Sequence, residues 1–260
     1  MSEALRSKQN LDTLHALPDP EDLAWEAARL ESARPEEVLE WALGVYGERM
    51  TLSVSFGNPE GMVLLDMLDR MVGIHGAPRV RVFTLDTGFL FEETVRFREE
   101  AMRRYNLPLE VMRPRLTLAE QVALYGEALY SCKPDICCQI RKVEPQKRAL
   151  EGYGAWVTGV RRDQTPQRAD TPVVGWEERF RVAKISPLAA WDAARIEEYI
   201  REHDVPLNPL LSMGYRSIGC EPCTRPVAPG EDPRAGRWSG TAKTECGLHF
   251  AGGAVRRANP

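Results

Sequence analysis

The spacing of apolar positions changes period several times along the chain, and each change marks an element. Residues 20–30 and 35–45 carry apolar side chains at helical spacing, and Pro35-Glu-Glu supplies a helix-start signal for the second stretch. The run Met50-Thr-Leu-Ser-Val-Ser55 then alternates with the period of a strand and leads through Phe56-Gly-Asn-Pro59 into an apolar helix over 62–72. The succession repeats: a strand over 80–85 ends in Asp86-Thr-Gly88, and a helix near 92–105 and a strand over 108–112 follow. Helices near 118–124 and 139–151 and strands near 155–160 and 181–185 continue it. Such alternation predicts an α/β fold, a mostly parallel sheet flanked by helices. Ligands of these folds sit beyond the carboxyl ends of the strands. Ser55-Phe-Gly57, Leu85-Asp86 and Thr158-Gly159 all lie at predicted strand exits and outline a candidate nucleotide cleft.

Past Pro206 the periodicity gives way to prolines, glycines and cysteines, the pattern of a loop-rich segment folded around a ligand. The expected divisions are N-terminal helices over 1–48, an α/β core over 49–204 and a cysteine-rich segment with its tail over 205–260, all within one domain. Residues 250–260 read as a mobile tail.

Composition narrows the function. A formal net charge of -4 argues against broad nucleic-acid binding. Local basic clusters, Arg161-Arg162 with Arg168 and Arg234 with Arg237, suit an anionic small molecule instead. The first residues lack the apolar centre of a signal peptide, and no run is long and apolar enough to span a membrane. A cytoplasmic, reducing compartment is the default expectation, where paired cysteines bind metal or do redox chemistry more often than they form structural disulfides.

Four of the six cysteines form two tight pairs, Cys137-Cys138 and Cys220-x-x-Cys223. A Cys-x-x-Cys turn points two thiolates at one centre, and a second pair completes four soft ligands. Adjacent cysteines make a poor zinc half-site, whereas an iron–sulfur cube, with separate iron corners, tolerates neighbouring ligands better. A disulfide, a zinc knuckle or a chance pairing are the alternatives. Cys132 reads as a small, partly buried apolar residue. Cys246 stands apart, flanked by Lys243 and His249, cations that favour a thiolate, and by Glu245, which opposes it.

The ordered motifs carry a resemblance. Ser55-Phe-Gly57, Leu85-Asp-Thr-Gly88, Cys137-Cys-Gln-Ile-Arg-Lys142, Thr158-Gly-Val-Arg-Arg-Asp-Gln164 and Asn208-Pro-Leu come first. Gly214-Tyr-Arg-Ser-Ile-Gly-Cys-Glu-Pro-Cys-Thr-Arg225, Gly230-Glu-Asp-Pro-Arg-Ala-Gly-Arg-Trp238 and Lys243-Thr-Glu-Cys-Gly-Leu-His249 follow. Together they resemble the assimilatory phosphosulfate reductases, in particular the iron–sulfur branch acting on adenosine 5′-phosphosulfate (adenylyl sulfate). The resemblance implies a Rossmann-like fold of the adenine-nucleotide α-hydrolase type. It implies a [4Fe-4S] cluster on Cys137, Cys138, Cys220 and Cys223, and Cys246 as the nucleophile that attacks the substrate sulfur. The products would be an S-sulfocysteine and AMP, with thioredoxin or a similar dithiol then releasing sulfite. Ser55, Phe56, Gly57 and Leu85 would line the nucleotide pocket, and Lys142, Arg168, Arg234, Arg237 and His249 would meet the charged group. A homo-oligomer is compatible with all of this.

Three rival readings stand beside it. The first reduces the 3′-phosphorylated nucleotide or takes both substrates. The second is a cluster-bearing, tRNA-modifying ATP pyrophosphatase-type enzyme, whose Ser-Gly-Gly-x-Asp-Ser loop is replaced here by Ser55-Phe-Gly-Asn-Pro-Glu60. The third is a cluster-based redox sensor, which leaves Cys246 and the arginines without a role. The chain departs from the family pattern after Trp238, where Ser239-Gly-Thr241 replaces further aromatic residues.

Overall fold

The computed structural model of the chain describes residues 20–75, 80–241 and 243–249, so the expected mobile tail over 250–260 lies outside the described residues. Six strands form one sheet: β1 (Met50–Ser53), β2 (Arg81–Leu85), β3 (Leu109–Met112), β4 (Ala155–Val157), β5 (Val174–Glu177) and β6 (Val182–Ile185). Their order is β3-β2-β1-β4-β6-β5, parallel throughout except for β5, which runs antiparallel to β6. The central strand is buried on both faces, with Met50, Thr51 and Leu52 at or below 1% exposure, and the buried Thr51 hydroxyl donates to the Arg81 carbonyl at 2.9 Å. Leu52 pairs with Val82 on one side and Val157 on the other. Strand order reverses at β1, so β1 and β4 part at their carboxyl ends and open a crevice there.

The helices in chain order are α1 (Pro20–Leu30), α2 (Pro35–Tyr46), α3 (Pro59–His75), α4 (Glu92–Arg104), α5 (Leu118–Tyr125), α6 (Leu129–Cys132), α7 (Pro134–Cys138), α8 (Glu144–Ala149) and α9 (Ala193–His203). Local chemistry starts them. Pro35 opens α2 with Glu36 and Glu37 in its first turn, Thr117 and Glu120 form a capping box on α5, and Asp192 caps α9. Leu23 and Leu30 of α1 and Val38, Leu39 and Ala42 of α2 share one core with the sheet.

Three features go beyond the hydrophobic pattern. The expected single helix over 139–151 instead spans α7 and α8, joined by a π turn, Gln139–Val143. β5 is an edge strand with Gly175 inside it and charged residues at its end, so its strand signal is weak. α9 buries only Ile196 and Tyr199 among charged neighbours. No helix among the described residues is long and apolar enough to cross a membrane.

Candidate active site

A cleft of about 640 Å³ opens where β1, β2 and β4 end. Ser55 and Gly57 follow β1, Leu85 ends β2, and Thr158 and Gly159 follow β4; all line it. Gly57 is needed for close approach, because a Cβ there would stand 3.0 Å from Ile218. The loop is pinned to the cysteine-rich segment by a two-way amide contact: Asn58 Nδ2 donates to the Ile218 carbonyl at 3.0 Å, and Ile218 N–H donates to Asn58 Oδ1 at 2.9 Å.

Phe56 departs from the expectation that it lines the pocket. Its side chain is 1% exposed and belongs to the core, and the backbone turns through a left-handed φ of 54° to send it there. The Phe56 carbonyl accepts from Asn208 Nδ2 at 2.9 Å, and the same nitrogen donates to Thr94 Oγ1 at 2.9 Å. Phe56 thus shapes the loop through its backbone, and Asn208 is a buried support that its motif position alone does not explain.

The cysteine pairs meet around a second, smaller cavity. Cys137 and Cys138 end α7 just before the π turn, and Cys220 and Cys223 bracket a tight turn in which Cys223 N–H donates to the Cys220 carbonyl at 3.0 Å. All four line that cavity with Phe89, Arg141 and Trp238. A π turn widens the helix locally and re-aims the residues beside it, a device common at functional sites. Cys137, Cys138 and Cys220 are buried, Cys223 is half-buried and Cys132 is exposed, so Cys132 is not the partly buried residue expected. Burial pushes the Cys137 thiol up to about 12, helped by the other three sulfurs. It pushes the Cys138 thiol up to about 11 against the pull of Lys142 and Lys243. Among the described residues, no three His, Cys, Asp or Glu side chains are arranged to hold a single metal ion. Thr87 Oγ1 contacts Cys220 Sγ at 3.3 Å, a neighbour that spacing arguments missed. Arg141 backs the pair from behind, donating to Gln121 Oε1 at 2.6 Å and to the carbonyls of Leu116 and Thr117.

Lys142, Cys220 and Trp238 line both cavities, so the two share a wall. Lys142 is half-buried there. Burial pulls its amine down, and the sulfurs of Cys220, Cys246 and Cys138 outweigh that and hold it above its ordinary value. Arg237 lies against Gly219, where any Cβ would collide with its guanidinium, and over the Trp238 ring at 4.5 Å. Its contact to protein oxygen is Ser217 Oγ at 3.4 Å, and its Nε has no partner among the described residues.

The remaining expected cations are engaged. Arg168 grips Glu245 with Nε to Oε1 at 2.9 Å and Nη2 to Oε2 at 2.8 Å, and Arg234 adds 3.3 Å to Oε2. Arg161 pairs with Glu60 and Asp163 at 3.1 and 2.6 Å, and Arg162 with Glu31 at 2.5 Å. His249 is no cation either. Burial, and then Lys184, Arg168, Arg234 and Lys142, drive its pKa well below the usual histidine range. Its ring stacks on Trp156 at 5.3 Å and 15°. Trp156, whose Nε1 donates to Ser53 Oγ at 2.7 Å, escaped notice because a tryptophan in a buried strand reads as core. Cys246 lines the cleft, half-buried, between these anchored neighbours.

Residues 49–226 match the family described as the phosphoadenosine phosphosulfate reductase domain. The chain is 47% identical over 226 residues to a phosphoadenosine 5′-phosphosulfate reductase of Gloeobacter violaceus, covering 86% of this chain and 91% of that protein. It is 46% identical over 228 residues to an adenosine 5′-phosphosulfate reductase of Streptomyces coelicolor, covering 87% and 93%. Among solved structures, phosphoadenylyl-sulfate reductase from Candida auris superposes with a TM-score of 0.69 at 29% identity, over 81% of this chain and all of that one. An FMN adenylyltransferase of Candida glabrata shares the fold alone, with a TM-score of 0.55 at 18% identity.

Proposed function

The chain belongs to the phosphoadenosine phosphosulfate reductase family and is an oxidoreductase, and on that premise we propose that it reduces adenosine 5′-phosphosulfate to sulfite and AMP with thioredoxin or a similar dithiol. The observation that carries this reading is the shared wall. Lys142 stands between the four-cysteine cavity and the cleft that holds Cys246, so one half-buried cation addresses both.

The four cysteines fit a [4Fe-4S] cluster on the chemistry of the donor set: sulfur alone, four thiols around one cavity. Burial disfavours their thiolates, and bound iron would reverse that by supplying positive charge to each sulfur. When bound, the cluster supplies a fixed field beside Lys142. Cys137, Cys138, Cys220 and Cys223 would be its ligands.

The reaction follows from the chain's own residues. The Cys246 thiolate attacks the sulfonyl sulfur; an S–S bond forms, the bond from sulfur to the bridging phosphate oxygen breaks, and AMP leaves with that oxygen and its electron pair. Negative charge grows on the peripheral and leaving oxygens, where Lys142 and Arg237, neither paired with a carboxylate among the described residues, are placed to oppose it. One thiolate of a dithiol then attacks the Cys246 sulfur and forms a mixed disulfide as the bond to the sulfonyl sulfur breaks and sulfite departs with the electron pair; the second thiol displaces the Cys246 thiolate, and the dithiol closes to a disulfide. Ser55, Gly57 and Leu85 would hold the nucleotide at the strand ends. Relatives bear both substrate names; the complete cysteine set favours the unphosphorylated nucleotide.

Anaerobic incubation of iron-loaded protein with each nucleotide and thioredoxin tests the reading. Sulfite and AMP are expected from adenosine 5′-phosphosulfate. Preference for the 3′-phosphorylated nucleotide would reassign the substrate, and no sulfite from either would overturn the reaction.

A further inference from the structure

Four of the cations that line the cleft differ in their partners. Lys142 and Arg237 have no carboxylate partner among the described residues, whereas Arg168 and Arg234 close on Glu245, the residue before Cys246. The grip is bidentate and largely dry: the side chains of Arg168 and Glu245 are 10% and 12% exposed. Arg168 is oriented in turn by Gln164, whose Nε2 donates to Glu60 Oε1 at 2.9 Å at the start of α3. A chain of polar contacts therefore runs from the first strand exit to the tail.

The other tail residues are anchored as well. Lys243 pairs with Asp135, the Thr244 carbonyl accepts from Arg234 at 2.9 Å, and the Gly247 carbonyl accepts from Arg179. Leu248 packs on the Trp156 cluster and His249 stacks on Trp156 itself. Cys246 is the exception, with no side-chain hydrogen bond or ion pair among the described residues. A carboxylate on two arginines could act as a stand-in that substrate must expel, or as a fastener that stays. The volume favours the fastener: with the tail seated the cleft still offers about 640 Å³, within the roughly 300–1,000 Å³ of small-molecule sites. Seated tail and ligand are compatible.

We propose that Glu245 is a positioning residue, fastened by Arg168 and Arg234 so that Cys246 is presented to an anion held by Lys142 and Arg237. The inference rests on the proposed reaction for its consequence but not for its geometry. Arg168 and Arg234 line the cleft and hold the tail at once.

The test is Glu245→Gln, with Glu245→Asp as the conservative partner, on the full iron-loaded chain. Glu245→Gln should speed backbone hydrogen exchange across residues 243–249 and lower single-turnover formation of S-sulfocysteine about tenfold or more, the usual consequence of losing a charge-assisted contact. AMP affinity and iron content should stay within about twofold, because the Glu245 carboxylate is taken up by Arg168 and Arg234. Glu245→Asp, which keeps the charge, should recover part of both losses. Unchanged exchange in Glu245→Gln would overturn the fastening, and tighter AMP binding would show a competing stand-in instead. Were the wild-type chain to form no S-sulfocysteine, the proposed reaction would fail, while the exchange measurement would still judge the fastening.

Discussion

The cysteine quartet and Cys246 place the same side chain in opposite housings. Cys137 and Cys138 ride a helix end braced by Arg141, and Cys220 and Cys223 sit in a turn tied down by backbone contacts, including Trp238 N–H to the Cys223 carbonyl at 3.0 Å. Cys246 lies half-buried on an irregular segment held by ion pairs, a ring stack and one apolar side chain. Backbone hydrogen bonds in a packed core open only with the structure around them, whereas an irregular segment held by side-chain contacts opens locally. Under the proposed function that contrast has a use. Permanent ligands are set by the core, and the thiol that must meet a nucleotide and then a dithiol is set by contacts that can release.

The contrast breaks most sharply at the thiols themselves. Cys246→Ser should reduce sulfite production to background while iron content stays at the wild-type level; wild-type turnover would place the nucleophile elsewhere. Cys220→Ser should instead lose bound iron, and full iron retention in that variant would remove Cys220 from the ligand set. Lys142→Ala comes next. The loss of one preorganised cation should lower kcat about 100-fold. Iron content and melting temperature should hold, and loss of iron would make Lys142 a structural support of the quartet.

The smallest effect concerns pH. His249 is neutral in the seated tail, because burial and then Lys184, Arg168, Arg234 and Lys142 disfavour its cation. A released tail takes up that proton near the ordinary histidine value of about 6.5, so the released form binds more protons. Seating is therefore fully supported above that range and weakens progressively as pH falls below it. Hydrogen exchange of residues 243–249, corrected for intrinsic rates, should show less protection at about pH 5.5 than at about pH 7.5. His249→Phe, which keeps a ring on Trp156, should flatten the difference; a difference of equal size would move the effect to another group.

Legibility followed sequence distance. The strand exits, the two cysteine pairs and the loop-rich end are local patterns, and each was readable where it stands. Arg168 with Glu245 was not, because the partners are 77 residues apart and a charge does not announce its counter-ion. The pattern likewise offered Arg161 and Arg162 as cations free for an anion and His249 as a cation, since nothing local shows that Glu60, Glu31 and Trp156 await them. Phe56 misled for a different reason: its neighbours face the cleft, but a left-handed turn stabilised by distant Asn208 drives its ring into the core.

By itself the sequence determined the α/β alternation, the parallel core and the separation of four clustered cysteines from one, because periodicity and spacing act over a few residues of backbone. Only the tertiary structure decided that the quartet and the lone thiol share a wall at Lys142, and that two of the cleft's arginines contact Glu245. Those outcomes depend on which charges burial forces together, and burial is set by the whole fold.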